Sequence, residues 1–184
     1  MHASEATIPD EADYRVFYDQ HFDAVDAFVR RRVEPSDVDD VVAQAFVVAW
    51  RRFGVLPTDD HDRRLWMYGV ARRTVADALK AQRRRARLDE RLRQTALPAV
   101  GAASDIGEGA DDVLKALAGL RPADQEVLRL VSWEQLSRSD AARVLDCSVR
   151  ALNVKLHRAR GRLTKVYAAL TPSKVPADEE VPGD

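Results

Sequence analysis

The segment from Asp140 to Arg160 constrains the fold of this chain more than any other. Its first part carries the small pair Ala141-Ala142, which lets one helix approach another closely. Asp146-Cys147-Ser148 then predicts a tight turn. Leu152 and Leu156 repeat at i, i+4, as expected for the buried stripe of a second helix. This layout predicts a helix-turn-helix whose second helix enters the major groove of DNA.

Bulk composition favours a helix-rich chain without a membrane segment. The 184 residues are 46% hydrophobic and 32% charged, enough for one domain or two small ones. No apolar run approaches the ~18 residues of a membrane span, and the N-terminus lacks a signal-peptide pattern. The single cysteine, Cys147, excludes an intramolecular disulfide and a Cys-cluster zinc site. We therefore expect a cytoplasmic location and no membrane insertion.

Charge is segregated along the chain although the net charge is only −1. Residues 63–93 carry eleven Lys and Arg against three acidic residues, and residues 143–165 carry seven against one. Residues 94–112 are acidic and have no base, and the end of the chain is also acidic. Two basic surfaces joined by an acidic connector are a pattern that favours nucleic-acid binding.

Apolar periodicity predicts an all-α fold with two small helical domains. The first three helices are expected over residues 14–32, from 36 or 37 to about 53, and 62–92, with a cap from Ser36 or Asp37. The next helices are expected over residues 111–120 and from Pro122 onward, followed by the helix-turn-helix. The domains are thus predicted at residues 12–92 and 111–170, with residues 93–110 as an acidic flexible linker.

Three motifs together resemble one protein family. They are the run from Asp39 to Trp50 (DDVVAQAFVVAW), the run from Leu65 to Arg73 (LWMYGVARR) ahead of an Arg-rich stretch, and the run from Leu156 to Arg160 (LHRAR). In this order and spacing they resemble bacterial sigma factors of the extracytoplasmic-function group. Those proteins keep only a domain for the promoter −10 element and a domain for the −35 element. The resemblance implies a transcription initiation factor that binds core RNA polymerase and assists promoter melting.

The resemblance also implies roles for residues of the first domain. The helix around residues 37–50 would dock on polymerase, and the loop of residues 54–63 is similar to one that captures a flipped −10 base. The third helix would follow the separated strand. The residues implied for polymerase binding are Asp40, Ala43, Gln44 and Val47. Those implied for −10 binding and melting are Arg63, Arg64, Trp66, Arg72, Arg73 and Asp77.

In the second domain the resemblance places promoter −35 contacts on the second helix of the helix-turn-helix. Base-edge contacts fall on Asn153, Val154, His157 and Arg158, since Arg and Asn can bond bidentately to guanine and adenine. Phosphate contacts fall on Arg150, Lys155 and Arg160. The implied partners are core RNA polymerase, promoter DNA and an anti-sigma factor, with no cofactor, metal or small-molecule substrate.

Two alternatives to a sigma factor remain open from the residues. Arg73 stands where many family members have Asn, and Ala43 replaces the first residue of a usual Gln-Glu pair, which motivates a degenerate sigma-like adaptor. A dimeric helix-turn-helix regulator is the other alternative. An enzyme is disfavoured because His2, His21, His61 and His157 are scattered without ligand spacing.

Overall fold

The computed structural model describes the backbone of residues 10–93 and 108–171 and the side chains of residues 10–87 and 112–171. Within these ranges the chain is all-α, as predicted, with no strand. Its helices are α1 (Glu11–Arg30), α2 (Val38–Arg51), α3 (Asp60–Arg93), α4 (Glu108–Ala118), α5 (Pro122–Ser132), α6 (Arg138–Val144) and α7 (Val149–Leu170). The chain divides into two compact units, Met1–Ala99 and Val100–Asp184. The expected linker lies almost entirely outside the described residues.

The first unit is built from α1, α2 and α3, which all contact one another. Each helix supplies an apolar stripe at three- and four-residue spacing, and the three stripes meet in one core. The buried side chains of this core are Phe17, Val25, Phe28, Val29, Val38, Val41, Val42, Ala45, Phe46, Ala49, Leu65, Met67, Tyr68, Val70, Ala71 and Val75. Burying each of the larger ones contributes roughly 1.5–3 kcal/mol of transfer free energy.

An aromatic cluster fixes α1 against α2. The hydroxyl of Tyr14 donates a hydrogen bond to the backbone oxygen of Phe46 over 2.7 Å. The Tyr14 ring meets Trp50 edge-on at 4.7 Å between centroids and Phe53 at 5.5 Å. Burial, with a smaller contribution from Tyr18, raises the pKa of Tyr14 to about 12. Tyr14 therefore combines ring packing with a satisfied polar group, which is how buried tyrosines are normally accommodated.

The start of α2 differs from the prediction that Ser36 or Asp37 caps it. Pro35–Asp37 forms a 3-10 turn that runs directly into the helix. Asp37 occupies the N-cap position, but its side chain makes no capping hydrogen bond. Its backbone is already right-handed helical, at φ −100° and ψ −6°, rather than in the extended conformation of a capping residue. Asp39 and Asp40 in the first turn instead complement the helix dipole.

The second unit is built from α4 to α7, and α7 contacts each of the other three helices. Leu152, Leu156 and Ala159 form the buried stripe of α7 at i, i+4 and i+7. The side-chain amide of Gln125 donates to the backbone oxygens of Ala118 and Leu120, which closes the C-terminal end of α4. α7 is thus the central helix of this unit.

Candidate functional site

The turn between α6 and α7 is a Schellman motif closed by an aspartate. The N–H of Cys147 bonds the oxygen of Ala142 at 3.0 Å, and the N–H of Asp146 bonds that of Arg143 at 3.1 Å. Asp146 has a positive φ of 50°, a left-handed conformation that Asp tolerates better than most residues. The Ser148 hydroxyl then accepts a hydrogen bond from the N–H of Ala151 and caps α7. The predicted helix-turn-helix geometry is therefore present.

The first turns of α7 present a basic, solvent-exposed face. Arg150, Val154 and His157 follow one another at i, i+4 and i+7, and Arg158 lies beside them; all four are exposed. Val154 is 44% exposed. This face lies opposite the buried stripe of α7. It offers charged donors, an imidazole and an apolar contact, the groups that read base edges and phosphates.

Three further α7 residues lie at the borders of this face. Lys155 and Arg160 are exposed, as expected for phosphate contacts. Asn153 is only half-buried, and its Oδ1 is buried without a hydrogen-bond partner among the described residues. The sequence predicted that Asn153 projects away from the apolar stripe, whereas the structure places one end of its amide against the protein.

A buried carboxylate fixes α7 to the start of α5. Asp124 is 5% exposed and accepts hydrogen bonds from Arg162 of α7 at 2.8 and 2.9 Å and from Arg121 at 3.0 Å. Burial raises the pKa of Asp124, but the hydrogen bonds and charges of Arg121 and Arg162 outweigh burial and leave its pKa below the ordinary value. No sequence motif indicated this interaction. Through it Arg162 stabilises the packing of α7 against α5.

In the first unit, the residues expected to bind polymerase share one face of α2. Asp40, Ala43, Gln44 and Val47 are all exposed and follow the spacing i, i+3, i+4 and i+7. Val47 is 40% exposed and is one of the large apolar side chains that reach the surface of this unit. The four residues form a continuous helical surface with a carboxylate, an amide and apolar groups.

A groove of about 470 Å³ runs between α2 and α3 beside this surface. It brings Asp40 and Gln44 of α2 together with Asp77 of α3, a residue for which the resemblance implied a role at the −10 element. Its charged and polar lining consists of Asp37, Asp40, Gln44, Thr74, Asp77, Gln82, Arg84 and Arg85, and its apolar lining of Val41, Val48, Ala78 and Ala81. Acidic and basic groups over an apolar floor suit a protein segment better than a phosphate backbone.

The residues of α3 expected at the −10 element do not form a single patch. By helical periodicity Trp66, Arg73 and Asp77 share one side of the helix; Arg73 and Asp77 are exposed and Trp66 is half-buried. Arg72 is half-buried on the flank, and its Nε has no partner among the described residues. Arg73 bends back along the helix, so that a Cβ on Gly69 would lie 3.7 Å from its Nη2.

Arg63 and Arg64 lie instead at the start of α3, next to the α2–α3 loop (residues 52–59), which contains a 3-10 turn at Phe53–Val55. Arg64 is exposed. Arg63 is half-buried and donates from Nε to the backbone oxygen of Pro57 over 2.7 Å. The carboxylate of Asp59 accepts from the N–H of Asp62 at 3.1 Å. Arg63 therefore shapes the loop, a role that a count of basic residues does not predict.

Two polar residues of α1 reach the first residue of α3, directly after this loop. Gln20 donates from Nε2 to Oδ1 of Asp60 over 2.6 Å. His21 is 3% exposed, with its Nε2 3.6 Å from the same oxygen. Burial lowers the pKa of His21; the charge of Asp60 opposes this, and those of Arg63 and Arg64 add to it. In the sequence His21 looks like one of four scattered histidines, although its place on the apolar stripe with Phe17 and Val25 signals burial.

The described part of the chain offers few features of other kinds. No group of three or more His, Cys, Asp or Glu side chains in it is arranged to hold a metal ion. None of the described helices combines the length and apolar character needed to span a bilayer.

Family comparison matches both units of the chain. The profile described as Sigma-70 region 2 matches residues 17–85, and the profile described as Sigma-70, region 4 matches residues 110–163. The first match runs from within α1 to within α3, and the second runs from within α4 to within α7. Each therefore falls on one of the two sets of exposed surfaces described above.

Individual relatives agree with the profiles. The chain is 28% identical over 85% of its length to the ECF RNA polymerase sigma factor BldN of Streptomyces coelicolor, and it spans 61% of that protein's length. It is 28% identical over 74% of its length to the RNA polymerase sigma factor CnrH of Cupriavidus metallidurans, and spans 76% of that protein.

Solved structures share the fold. CnrH, determined in complex with the cytosolic domain of CnrY, superposes with a TM-score of 0.61 at 27% identity, over 91% of this chain and 95% of that chain. RpoE from Bartonella quintana, determined with the anti-sigma factor NepR, gives 0.61 at 20% identity, over 84% of this chain and 96% of that chain, which bears on the fold alone. This chain belongs to the sigma-70 family, and its two units are similar to those of sigma factors of the extracytoplasmic-function group.

Proposed function

We propose that this chain binds core RNA polymerase, directs it to promoters with −10 and −35 elements, and assists promoter melting. Residues 12–92 would act on polymerase and the −10 element, and residues 111–170 on the −35 element. Residues 93–110 would join them and raise the effective concentration of the second unit once the first is bound. The observation that carries the proposal is the exposed basic face of α7 directly after the Schellman turn.

The α7 face divides into residues that read bases and residues that hold phosphate. Arg158 and His157 would place hydrogen-bond donors in the major groove of DNA, and Val154 is suited to contact a thymine methyl group. Arg150, Lys155 and Arg160 neutralise phosphates and so supply the salt-dependent part of the affinity. Asn153 takes part through the outer end of its amide, because its Oδ1 is turned against the protein.

The exposed face of α2 is proposed as the polymerase surface, through Asp40, Ala43, Gln44 and Val47. Asp77 lies in the same groove as Asp40 and Gln44. A carboxylate there is repelled by DNA phosphate, so its position favours a contribution to the protein surface over a direct contact with the −10 strand. Contacts with the separated DNA strand at the −10 element would come from Arg64, Trp66, Arg72 and Arg73. Arg63 would hold the α2–α3 loop, which would receive an unpaired base.

An anti-sigma factor is proposed as the regulatory partner. CnrH is solved with the cytosolic domain of CnrY, and RpoE of Bartonella quintana with the anti-sigma factor NepR. In this chain the α2 face and the α2–α3 groove expose apolar groups beside charged ones, the character of a protein-binding surface. We also propose a cytoplasmic location and a non-catalytic role, since the proposed partners are polymerase and DNA.

Run-off transcription tests the proposal. Core polymerase, with and without the full chain, would be given a pool of genomic fragments from the source organism. We expect discrete new transcripts that Arg158→Ala reduces and that Lys165→Ala retains. Lys165 is the matched control because it is an exposed base on the same helix, about 10 Å further along it.

Each other outcome identifies an alternative. Core binding without any transcript would replace the proposal with a degenerate adaptor, the interpretation motivated by Arg73 and Ala43, and Arg73→Asn would be the first reversion to test. A chain that does not bind core polymerase and sediments as a stable dimer would replace it with a helix-turn-helix regulator.

A further inference from the structure

His21 is a buried polar side chain that the proposed contacts with DNA and polymerase leave unused. It lies on the apolar face of α1, with its ring edge-on to Phe17 at 4.7 Å between centroids. Its Nε2 is buried without a hydrogen-bond partner among the described residues. Burying a polar nitrogen without a partner is costly, so such atoms call for an explanation.

The nitrogen faces the first residue of α3. Nε2 of His21 is 3.6 Å from Oδ1 of Asp60, which is longer than a hydrogen bond. The neighbouring residue of α1, Gln20, already donates to that same oxygen over 2.6 Å. Two successive side chains of α1 are therefore directed at one carboxylate that lies 40 residues away from Gln20 along the chain.

Asp60 connects this pair to the α2–α3 loop. The loop enters α3 at Asp60, and one turn later Arg63 holds the backbone oxygen of Pro57 at 2.7 Å. Contacts thus run from α1 through Asp60 and the first turn of α3 to Pro57 in the loop. The side chain of Asp60 is 63% exposed, so it can move where His21 cannot.

We propose that Gln20 and His21 are positioning residues for the α2–α3 loop, acting through Asp60 to hold it where it receives an unpaired promoter base. The inference rests on the proposed function and names the residues that set the loop. A shift of Asp60 towards α1 by roughly 1 Å brings His21 Nε2 to hydrogen-bonding distance. The histidine thereby offers a second donor that retains the loop in a closer position.

The surroundings keep the imidazole neutral in this role. Burial lowers the pKa of His21, and the positive charges of Arg63 and Arg64 act in the same direction, against the charge of Asp60. A neutral imidazole has one N–H donor, and an acceptor at Asp60 selects the tautomer that carries it on Nε2.

The test uses the full chain with two substitutions at His21, one without an N–H donor and one with such a donor. His21→Phe keeps a ring against Phe17 and removes the donor, whereas His21→Gln returns an N–H close to the position of Nε2. Asp19→Ala on the same helix is the matched control, because Asp19 is exposed and outside the proposed contacts. Readouts are permanganate reactivity of unpaired thymines at −10, core polymerase affinity, the melting temperature Tm, and hydrogen exchange of residues 54–63.

We expect His21→Phe to lower the open-complex equilibrium and to speed exchange in residues 54–63, each by about fivefold, the loss of the one modest hydrogen bond that His21 gains when Asp60 shifts towards it. Core affinity stays at the native value, and Tm does not fall, because Phe removes a buried nitrogen that has no partner in the described structure. His21→Gln recovers most of both losses. Native-like opening and exchange in His21→Phe would overturn the inference, as would a common fall of Tm and opening in both variants. If the native chain opens no promoter, the proposed function fails. Hydrogen exchange of residues 54–63 in the native and His21→Phe chains then still decides whether His21 holds the loop.

Discussion

One guanidinium nitrogen of Arg162 lies 2.8 Å from one carboxylate oxygen of Asp124 and 2.9 Å from the other. The two residues are 38 positions apart and join α7 to the first turn of α5. Arg121 adds a third hydrogen bond at 3.0 Å. The orientation of the α7 basic face therefore depends on a carboxylate that lies outside the helix-turn-helix.

Replacing Asp124 by Asn is expected to destabilise the second unit by about 1–2 kcal/mol, because charged hydrogen bonds to two arginines are weakened. Peptide-level hydrogen exchange checks this: amides of α5 and α7 should exchange faster, while those of α1 to α3 keep native rates. Asp112→Asn, which changes a half-buried acid of α4, is the control. Equal exchange in α5 and α7 of the native and Asp124→Asn chains would contradict the expectation.

The stabilisation by Asp124 should also depend on pH in a defined direction. The pKa of Asp124 is lowered in the folded chain, so the unfolded chain binds its proton first as the pH falls. The stabilisation is fully present above the ordinary value of 3.8 and is lost as the pH drops through the lower folded value. Acid unfolding curves of the native and Asp124→Asn chains should therefore converge below that window and stay apart at pH 7.

Asp146→Gly is expected to stabilise the second unit by about 0.5–1 kcal/mol. Asp146 has a φ of 50°, where glycine carries no Cβ strain. Urea unfolding measures the effect. Lys165→Gly, which changes an exposed residue inside α7, is the matched control and should destabilise by about 1 kcal/mol. A lower midpoint for Asp146→Gly would show that the Asp146 side chain contributes more than its backbone strain costs.

Tyr14→Phe is expected to cost about 1 kcal/mol in the first unit, since it removes the hydrogen bond to the oxygen of Phe46 and keeps the ring. The change should also remove a tyrosine that ionises late. Burial raises the pKa of Tyr14 to about 12, so an ultraviolet titration of the folded native chain should show a late-titrating tyrosine that the variant lacks. A titration that retains this step would assign it to another residue.

Arg158→Ala and Arg150→Ala should weaken promoter binding by the polymerase complex in different ways. Arg158→Ala is expected to cost about 1–3 kcal/mol and to relax preference at one base pair of the −35 element. Arg150→Ala should weaken all sequences alike and reduce the slope of log affinity against log salt by about 1. Binding to a set of single-base promoter variants at several salt concentrations separates the two. A uniform loss for Arg158→Ala would assign it to phosphate.

Apolar periodicity was sufficient to predict the helices, because three- and four-residue spacing leaves few alternatives for residues such as Val41, Val42 and Ala45. Short-range turn chemistry was predicted in part. Asp146 and Ser148 form the expected turn, whereas Asp37 stands at a helix start without capping it. The difference arises because the preceding 3-10 turn sets the backbone of Asp37, a detail that residue type does not encode.

The polar contacts that set the candidate sites were harder to predict, because they join distant segments. Gln20 meets Asp60 across 40 residues and Arg162 meets Asp124 across 38. In the sequence Arg63 and Arg162 look like any other base in a basic stretch, yet each is held by a specific acceptor. The roles assigned to individual residues at polymerase and DNA stay predictions.

The buried residues of α7 and its exposed basic residues lie on opposite sides of the helix. Leu152, Leu156 and Ala159 hold the unit together, while Arg150, Val154 and His157 face solvent. Substitutions on the outer side therefore meet almost no penalty in folding. Under the proposed function, a gene duplicate can change its promoter preference there one residue at a time without losing a folded protein, which is a condition for the divergence of paralogues.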